Sequence, residues 1–206
     1  MRILLERVGR RFNREWIFNH IDYTFESGKS YAILGINGSG KSTLLQVISG
    51  ALTYSVGDIS YTIDDKQIPV EQLFSYFSLA APYLDLIEEF TLLETLDFHF
   101  NFKKRINNLN NNELVDLLDM QKSKNKQLKY FSSGMKQRVK LLLAFCSDTP
   151  LLLLDEPTAN LDEQGINWYL YLVKSFAGND RLVIVCSNQA HEYSFCDEHI
   201  LVADYK

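Results

Sequence analysis

The stretch that most constrains this chain is Gly35-Ile36-Asn37-Gly38-Ser39-Gly40-Lys41-Ser42, which reads G-x-x-x-x-G-K-S. Before it, Ser30-Tyr31-Ala32-Ile33-Leu34 has the apolar, β-branched character of a buried strand. After it, Thr43-Leu44-Leu45-Gln46-Val47-Ile48-Ser49 reads as a helix that Gly50 stops. Strand, glycine loop and helix in that order imply an α/β core built around a loop that holds phosphate. A glycine turn with an incidental lysine is the bland alternative, and the flanking elements argue against it. Gly35, Gly38 and Gly40 leave room for backbone N–H groups to close on phosphate oxygens, where a Cβ would intrude. The start of the helix adds its partial positive charge. Lys41 then reaches the terminal phosphates of a nucleoside triphosphate, and the Ser42 hydroxyl ligates Mg²⁺. Asn37, Ser39 and Thr43 line the same loop.

The rest of the composition narrows the field. A chain of 206 residues with 46% hydrophobic content forms one domain, or one domain with an inserted lobe. A net charge of −5 gives no support to nucleic-acid binding. Cys146, Cys186 and Cys196 lack C-x-x-C spacing and any obvious disulfide framework, a pattern that fits a reducing cytosol. The N-terminal residues carry no signal-peptide pattern, and no uncharged apolar run is long enough to span a bilayer.

Along the chain, residues 1–34 read as two or three strands, with turns at Gly9-Arg10-Arg11 and Glu26-Ser27-Gly28. Gly57–Ile63 and Leu73–Phe77 read as further strands. Helical spacing runs from about Leu92 to Ala144, with Asn111 or Asn112 as the cap of a helix through Leu114, Leu117 and Leu118. Arg105–Asn112 is an Asn-rich loop. Leu151–Asp155 is a short buried strand. A helix near Gln164–Phe176, a strand at Leu182–Cys186 and a last strand near Ile200–Ala203 follow. The expected fold is α/β: a P-loop NTPase core with an N-terminal antiparallel β lobe and an inserted helical subdomain. As one domain over residues 1–206, it assigns 1–84 and 149–206 to the core and β lobe, and about 85–148 to the helical lobe.

Two further segments carry chemistry. In Leu151-Leu152-Leu153-Leu154-Asp155-Glu156, a buried strand ends in two carboxylates. Asp155 would then hold Mg²⁺ beside the phosphates, and Glu156 would polarise an attacking water. A core strand ending in a solvated turn would look the same without the glycine loop upstream. In Phe131-Ser132-Ser133-Gly134-Met135, small polar residues open a helix and offer a second anion site. An ordinary N-cap explains the same residues.

In this order the segments resemble the ATP-binding cassette (ABC) ATPases, over nearly the whole chain. Gly35–Ser42 matches the Walker A motif and Leu151–Glu156 matches Walker B with its catalytic Glu. Phe131–Met135, followed by Lys-Gln-Arg, looks like the LSGGQ signature, and Pro157–Asp162 looks like the D-loop. The resemblance implies a head-to-tail pair of such domains, a homodimer or a heterodimer, in which Ser132, Ser133 and Gly134 touch the γ-phosphate held by the other subunit. It also implies an aromatic that stacks on adenine. Phe12 sits where that residue is expected, Trp16 is a second candidate, and a core role would equally account for Phe12.

Three positions depart from the family pattern. Ser133 replaces the first signature glycine. Alignment on Pro82 puts Ala80 where the family has a Gln. Asn188 stands where the family has a switch histidine, and His191, three residues on, reads as a surface residue. The resemblance implies the ATP-binding and hydrolysing subunit of an ABC transporter, similar to small ATPases of the haem-exporter kind. It would act with Mg²⁺ and sit in the cytoplasm at the inner face of the membrane through a separate permease, docked at Tyr83-Leu84-Asp85-Leu86-Ile87. The alternatives are a soluble ABC ATPase that remodels a macromolecule and an ATP-binding regulatory module with little turnover.

Overall fold

β1 (Arg2–Phe12) and β2 (Glu15–Glu26) form a long antiparallel hairpin closed by Asn13-Arg14. In this computed structural model, which describes residues 1–178 and 180–206, the turn therefore lies beyond the expected Gly9–Arg11. Gly9 is inside β1, where a Cβ would come within 2.5 Å of Asn19 Oδ1 and 2.8 Å of Val56 Cγ2. Close packing in an irregular strand, not a turn, accounts for glycine there. Asn13 takes the left-handed conformation, at φ 54°, that asparagine tolerates.

β3 (Ser30–Leu34) leads through the glycine loop into α1 (Lys41–Ile48). β4 (Val56–Ile63) and the short β5 (Lys66–Gln67) return to the hairpin, giving an antiparallel sheet of order β2-β1-β4-β5. The strand expected at Leu73–Phe77 begins later, as β6 (Phe77–Ala80). Pro69 fixes the start of a 3₁₀ turn over Val70–Ser75 instead, and that turn drives Leu73 into the core.

Next come α2 (Leu92–Phe100), α3 (Asn111–Leu118) and α4 (Ser133–Phe145). The cap of α3 is Asn110, not Asn111 or Asn112. Its side chain accepts from Asn112 N and Glu113 N, and Glu113 reaches back to Asn110 N at 2.7 Å. The Asn-rich stretch before it includes a 3₁₀ turn, with Asn107 and Asn108 both at positive φ. β7 (Leu151–Asp155), α5 (Glu163–Phe176), β8 (Leu182–Ser187), α6 (Ala190–Tyr193) and β9 (Glu198–Leu201) complete the chain. The last strand starts two residues before the expected Ile200 and gives way to a 3₁₀ turn at Val202–Tyr205.

β6, β7, β8, β3 and β9 pair in that order into an all-parallel sheet. Both of its faces are covered, as parallel sheets require. Along β7, Leu151 and Leu153 pack toward α1 and the antiparallel sheet, while Leu152 and Leu154 pack toward α4 and α5. All four are fully buried, and each stabilises the fold by roughly 1.5–3 kcal/mol. A separate apolar cluster joins α2, α3 and α4 through Leu92, Leu96, Leu114, Leu118, Val139 and Leu142.

One buried cation ties the layers together. Arg181 donates to the carbonyls of Ala144 and Phe145 at the end of α4, of Phe176 at the end of α5, and of Ser147 and Thr149. It also reaches the hydroxyls of Ser78 and Thr149, each at 2.9 Å. Its charge sits where the negative ends of two helices converge. Burial nevertheless pulls the guanidinium pKa down to about 10.

Candidate active site

The carboxyl ends of β7, β8 and β3 lie side by side, and the loops that leave them share one edge of the sheet. Ligands bind open parallel sheets at that edge. β3 delivers Gly35–Thr43, β7 delivers Asp155 and Glu156, and β8 delivers Asn188.

The loop is tightly built. α1 starts at Lys41 with no side-chain cap from Gly40, so its first-turn N–H groups are left for another acceptor. Gly40 has φ 109°, and a Cβ there would come within 2.4 Å of Ile17 Cγ2 in β2. The β1–β2 hairpin is thereby pressed against the loop. Lys41, only 4% exposed, folds its ammonium over the loop and donates to the carbonyls of Gly35 and Ile36 at 2.9 and 3.3 Å. Ser39 Oγ is buried, with no hydrogen-bond partner among the described residues. Asn188 Nδ2 donates to Asn37 Oδ1 at 2.9 Å, joining the end of β8 to the loop.

Asp155 is 1% exposed, and neither of its carboxylate oxygens has a hydrogen-bond partner among the described residues. Burial pushes its pKa up to about 6. The Ser42 hydroxyl pulls the other way, close enough to favour the charge but outside hydrogen-bond geometry. Next, the Glu156 charge raises it and Lys41 lowers it. An orphaned buried carboxylate beside a serine hydroxyl offers the oxygen donors a hard divalent cation takes. The residues therefore fit Mg²⁺ held by Asp155 and Ser42. Glu156, the next residue, is in the left-handed region at φ 42°, with its N–H donated to Cys186 O at 2.9 Å. A non-glycine residue held there stores strain of the kind found at functional sites.

Ser132, Ser133 and Gly134 lie at the start of α4, and Ser132 caps it by accepting from Met135 N at 3.2 Å. Among the described residues, no hydrogen bond joins them to Gly35–Thr43. Gly134 instead faces the segment after Glu156, since a Cβ on it would lie 2.9 Å from Asn160 O. Gln137 donates to Pro157 O at 2.8 Å in the same contact. Phe12 is 46% exposed near the hairpin tip, with the Arg10 guanidinium 4.4 Å over its ring, so it is not a core aromatic. Trp16 is half-buried, with Arg11 at 5.5 Å. Ala80 is fully buried as the last residue of β6, paired with Leu154.

Three residues play parts that the sequence did not reveal. Tyr83, in the apolar segment expected to dock, is 44% exposed overall, and partial burial of its phenol first and the Asp155 charge second push its pKa up to about 12. It lies within electrostatic reach of the site. His191 is half-buried rather than a free surface residue, with Nε2 2.9 Å from Thr158 Oγ1. Glu192 is a buried carboxylate bonded to Thr158 and Ser187.

A model of the ABC transporter family matches residues 18–159, from β2 through the segment after Glu156. The chain belongs to the ABC transporter family. The cassette is a P-loop ATPase of the ATP-binding subunit class. It is 29% identical over 191 residues to the cytochrome c biogenesis ATP-binding export protein CcmA of Brucella abortus (strain 2308), covering 91% of this chain and 86% of that one. It is 26% identical over 189 residues to the lantibiotic transport ATP-binding protein SrtF of Streptococcus pyogenes, covering 89% and 79%. Among solved structures, an ATP-binding protein from Pyrococcus furiosus superposes with TM-score 0.82 at 22% identity over 100% of both chains. A dimeric bacterial ABC transporter cassette superposes with TM-score 0.79 at 22% identity, covering 97% and 94%. Both structures share the cassette's P-loop fold.

Proposed function

We propose that this cassette binds Mg·ATP at Gly35–Thr43, hydrolyses it as half of a head-to-tail pair, and so drives a separate membrane permease. The observation that carries this reading is the orphaned carboxylate of Asp155, set beside Lys41 and Ser42 at the sheet edge. The free N–H groups of the loop and the Lys41 ammonium hold the β- and γ-phosphates. Asp155 and Ser42 hold the cation, which when bound neutralises phosphate charge. Glu156 accepts a proton from the attacking water, and Asn188 orients that water through its amide. Phe12 supplies a stacking face for adenine. A helical lobe over about residues 85–148 presents Ser132, Ser133 and Gly134 to the partner's nucleotide, and Tyr83–Ile87 begins the surface for the permease. The cassette then works at the inner face of the membrane without crossing it. Among the described residues, no helix is long and apolar enough to do so.

Asn188 also favours slow turnover by the isolated cassette. A neutral amide gives a weaker hydrogen bond than a charged imidazolium. A deficit of about 1–3 kcal/mol corresponds to roughly one to two orders of magnitude in rate. The test of the reading is Lys41→Ala, titrated with Mg·ATP by calorimetry. The expected result is loss of measurable binding with the fold intact, and unchanged affinity would overturn the assignment.

A further inference from the structure

Glu192 is 1% exposed on the short helix α6, and among the described residues no lysine or arginine pairs with it. A carboxylate is buried this deeply only when donors satisfy it. The donors are specific. Oε1 accepts from the Thr158 N–H at 2.7 Å and from the Thr158 hydroxyl, and Oε2 accepts from the Ser187 hydroxyl. Thr158 and Ser187 are themselves buried, at 4% and 0% exposure. Tyr169 of α5, fully buried, donates its hydroxyl to Glu192 O at 2.7 Å and so fixes α6 from behind.

The proton count is closed. With Glu192 as a carboxylate, the single Thr158 hydroxyl proton goes to it, so His191 Nε2 is the donor in its 2.9 Å contact with Thr158 Oγ1. The Ser187 hydroxyl proton likewise goes to Glu192, leaving Ser187 Oγ free to accept from Gln189 N at 2.8 Å. That second bond closes a tight turn with Asn188 at its centre. Asn188 is the residue whose amide reaches Asn37 of the phosphate loop.

The two anchor points therefore flank the two residues assigned to the attacking water. Thr158 is two residues after Glu156, and Ser187 is one residue before Asn188. Glu156 is held in its left-handed conformation on one side by its own N–H to Cys186 O, and beyond Pro157 by Thr158 on Glu192. We propose that Glu192 is a positioning residue for hydrolysis. One oxygen fixes the backbone that carries Glu156 and the other fixes the turn that carries Asn188, so the spacing of base and amide is set by a single carboxylate. This rests on the roles given above to Glu156 and Asn188.

Glu192→Gln keeps the size of the side chain but turns an –NH₂ toward one of the donors. The assay is single-turnover hydrolysis of bound ATP by the full chain, with nucleotide affinity measured in parallel. Expected is a fall of roughly tenfold or more in the hydrolytic rate with ATP affinity within about threefold of wild type, because Glu192 makes no hydrogen bond to Lys41 and reaches the loop only through the single Asn188–Asn37 bond. Glu192→Gln and Asn188→Ala combined should lose less than the product of their separate losses, since they act on one unit. Ser187→Ala removes only the Asn188 anchor and serves if Glu192→Gln fails to fold; it should lower the rate with affinity preserved. If Glu156→Gln and Asn188→Ala lower the rate while Glu192→Gln and Ser187→Ala do not, the positioning role is refuted and the site reading stands. A loss of affinity in step with rate would equally refute it. If neither Glu156→Gln nor Asn188→Ala lowers the rate, the site reading falls, and the positioning role with it.

Discussion

Replacing Asp155 by asparagine separates the cost of burying this charge from its use. In the folded chain the carboxyl pKa rises from the ordinary 3.8 to about 6, with burial as the main cause. The folded state thus binds a proton more tightly than the unfolded state. Below about pH 4 both states are protonated and there is no penalty. As pH rises from about 4 to about 6, the unfolded chain releases the proton first, and stability falls. Above that range the full penalty stands. A displacement of about two pH units corresponds to about 3 kcal/mol at 1.36 kcal/mol per unit. Asparagine cannot ionise, so Asp155→Asn should gain on wild type by about that amount between pH 4 and pH 7, whatever constant offset the amide introduces. Urea unfolding of both proteins without nucleotide or Mg²⁺, at half-unit steps of pH, reads the difference directly. A difference that stays flat across this range would refute the argument, and one that narrows toward pH 7 would reverse its sign. Mg²⁺ with ATP should shrink the gap at pH 7, because the cation relieves the charge in wild type alone.

Substitutions at two other positions test the frame around the site. Arg181→Ala should cost roughly 3 kcal/mol or more in urea unfolding, because several buried carbonyls lose their donor at once. Arg181→Lys should recover only part of that, since one ammonium cannot reproduce the guanidinium fork. Gly134→Ala should change stability little, as about 1 kcal/mol of helix propensity is set against a clash with Asn160 O. It should nevertheless lower the dimer fraction of a Glu156→Gln background in saturating Mg·ATP, measured by size-exclusion chromatography. An unchanged dimer fraction would show that the α4 start and the segment after Glu156 need not keep their present contact.

What was legible in the sequence was local. Gly35–Ser42 between an apolar strand and a helix, and four leucines ending in Asp155-Glu156, encode their structure within a few residues of themselves. The misplaced pieces were set by distant partners. Gly9 read as a turn because glycine is common in turns, yet its neighbours are Asn19 and Val56. Leu73–Phe77 has strand composition, but Pro69 upstream begins a 3₁₀ turn. His191 read as a surface residue because its partner, Thr158, lies more than thirty residues away in sequence.

The order β6-β7-β8-β3-β9 has a consequence for how the protein is made. β3, which carries the phosphate loop, has β8 and β9 as its only neighbours in the sheet, and β8 begins at Leu182. About 150 residues must be synthesised after Leu34 before that strand exists. At 5–20 residues per second this takes roughly 7–30 s. Until then β3 has two unpaired edges, and β7 lacks its β8 side. A nascent chain stalled or truncated before residue 182 would hold Walker A and Walker B without the strand that lies between them. Such a fragment would present apolar strand edges to chaperones, proteases and other copies of itself.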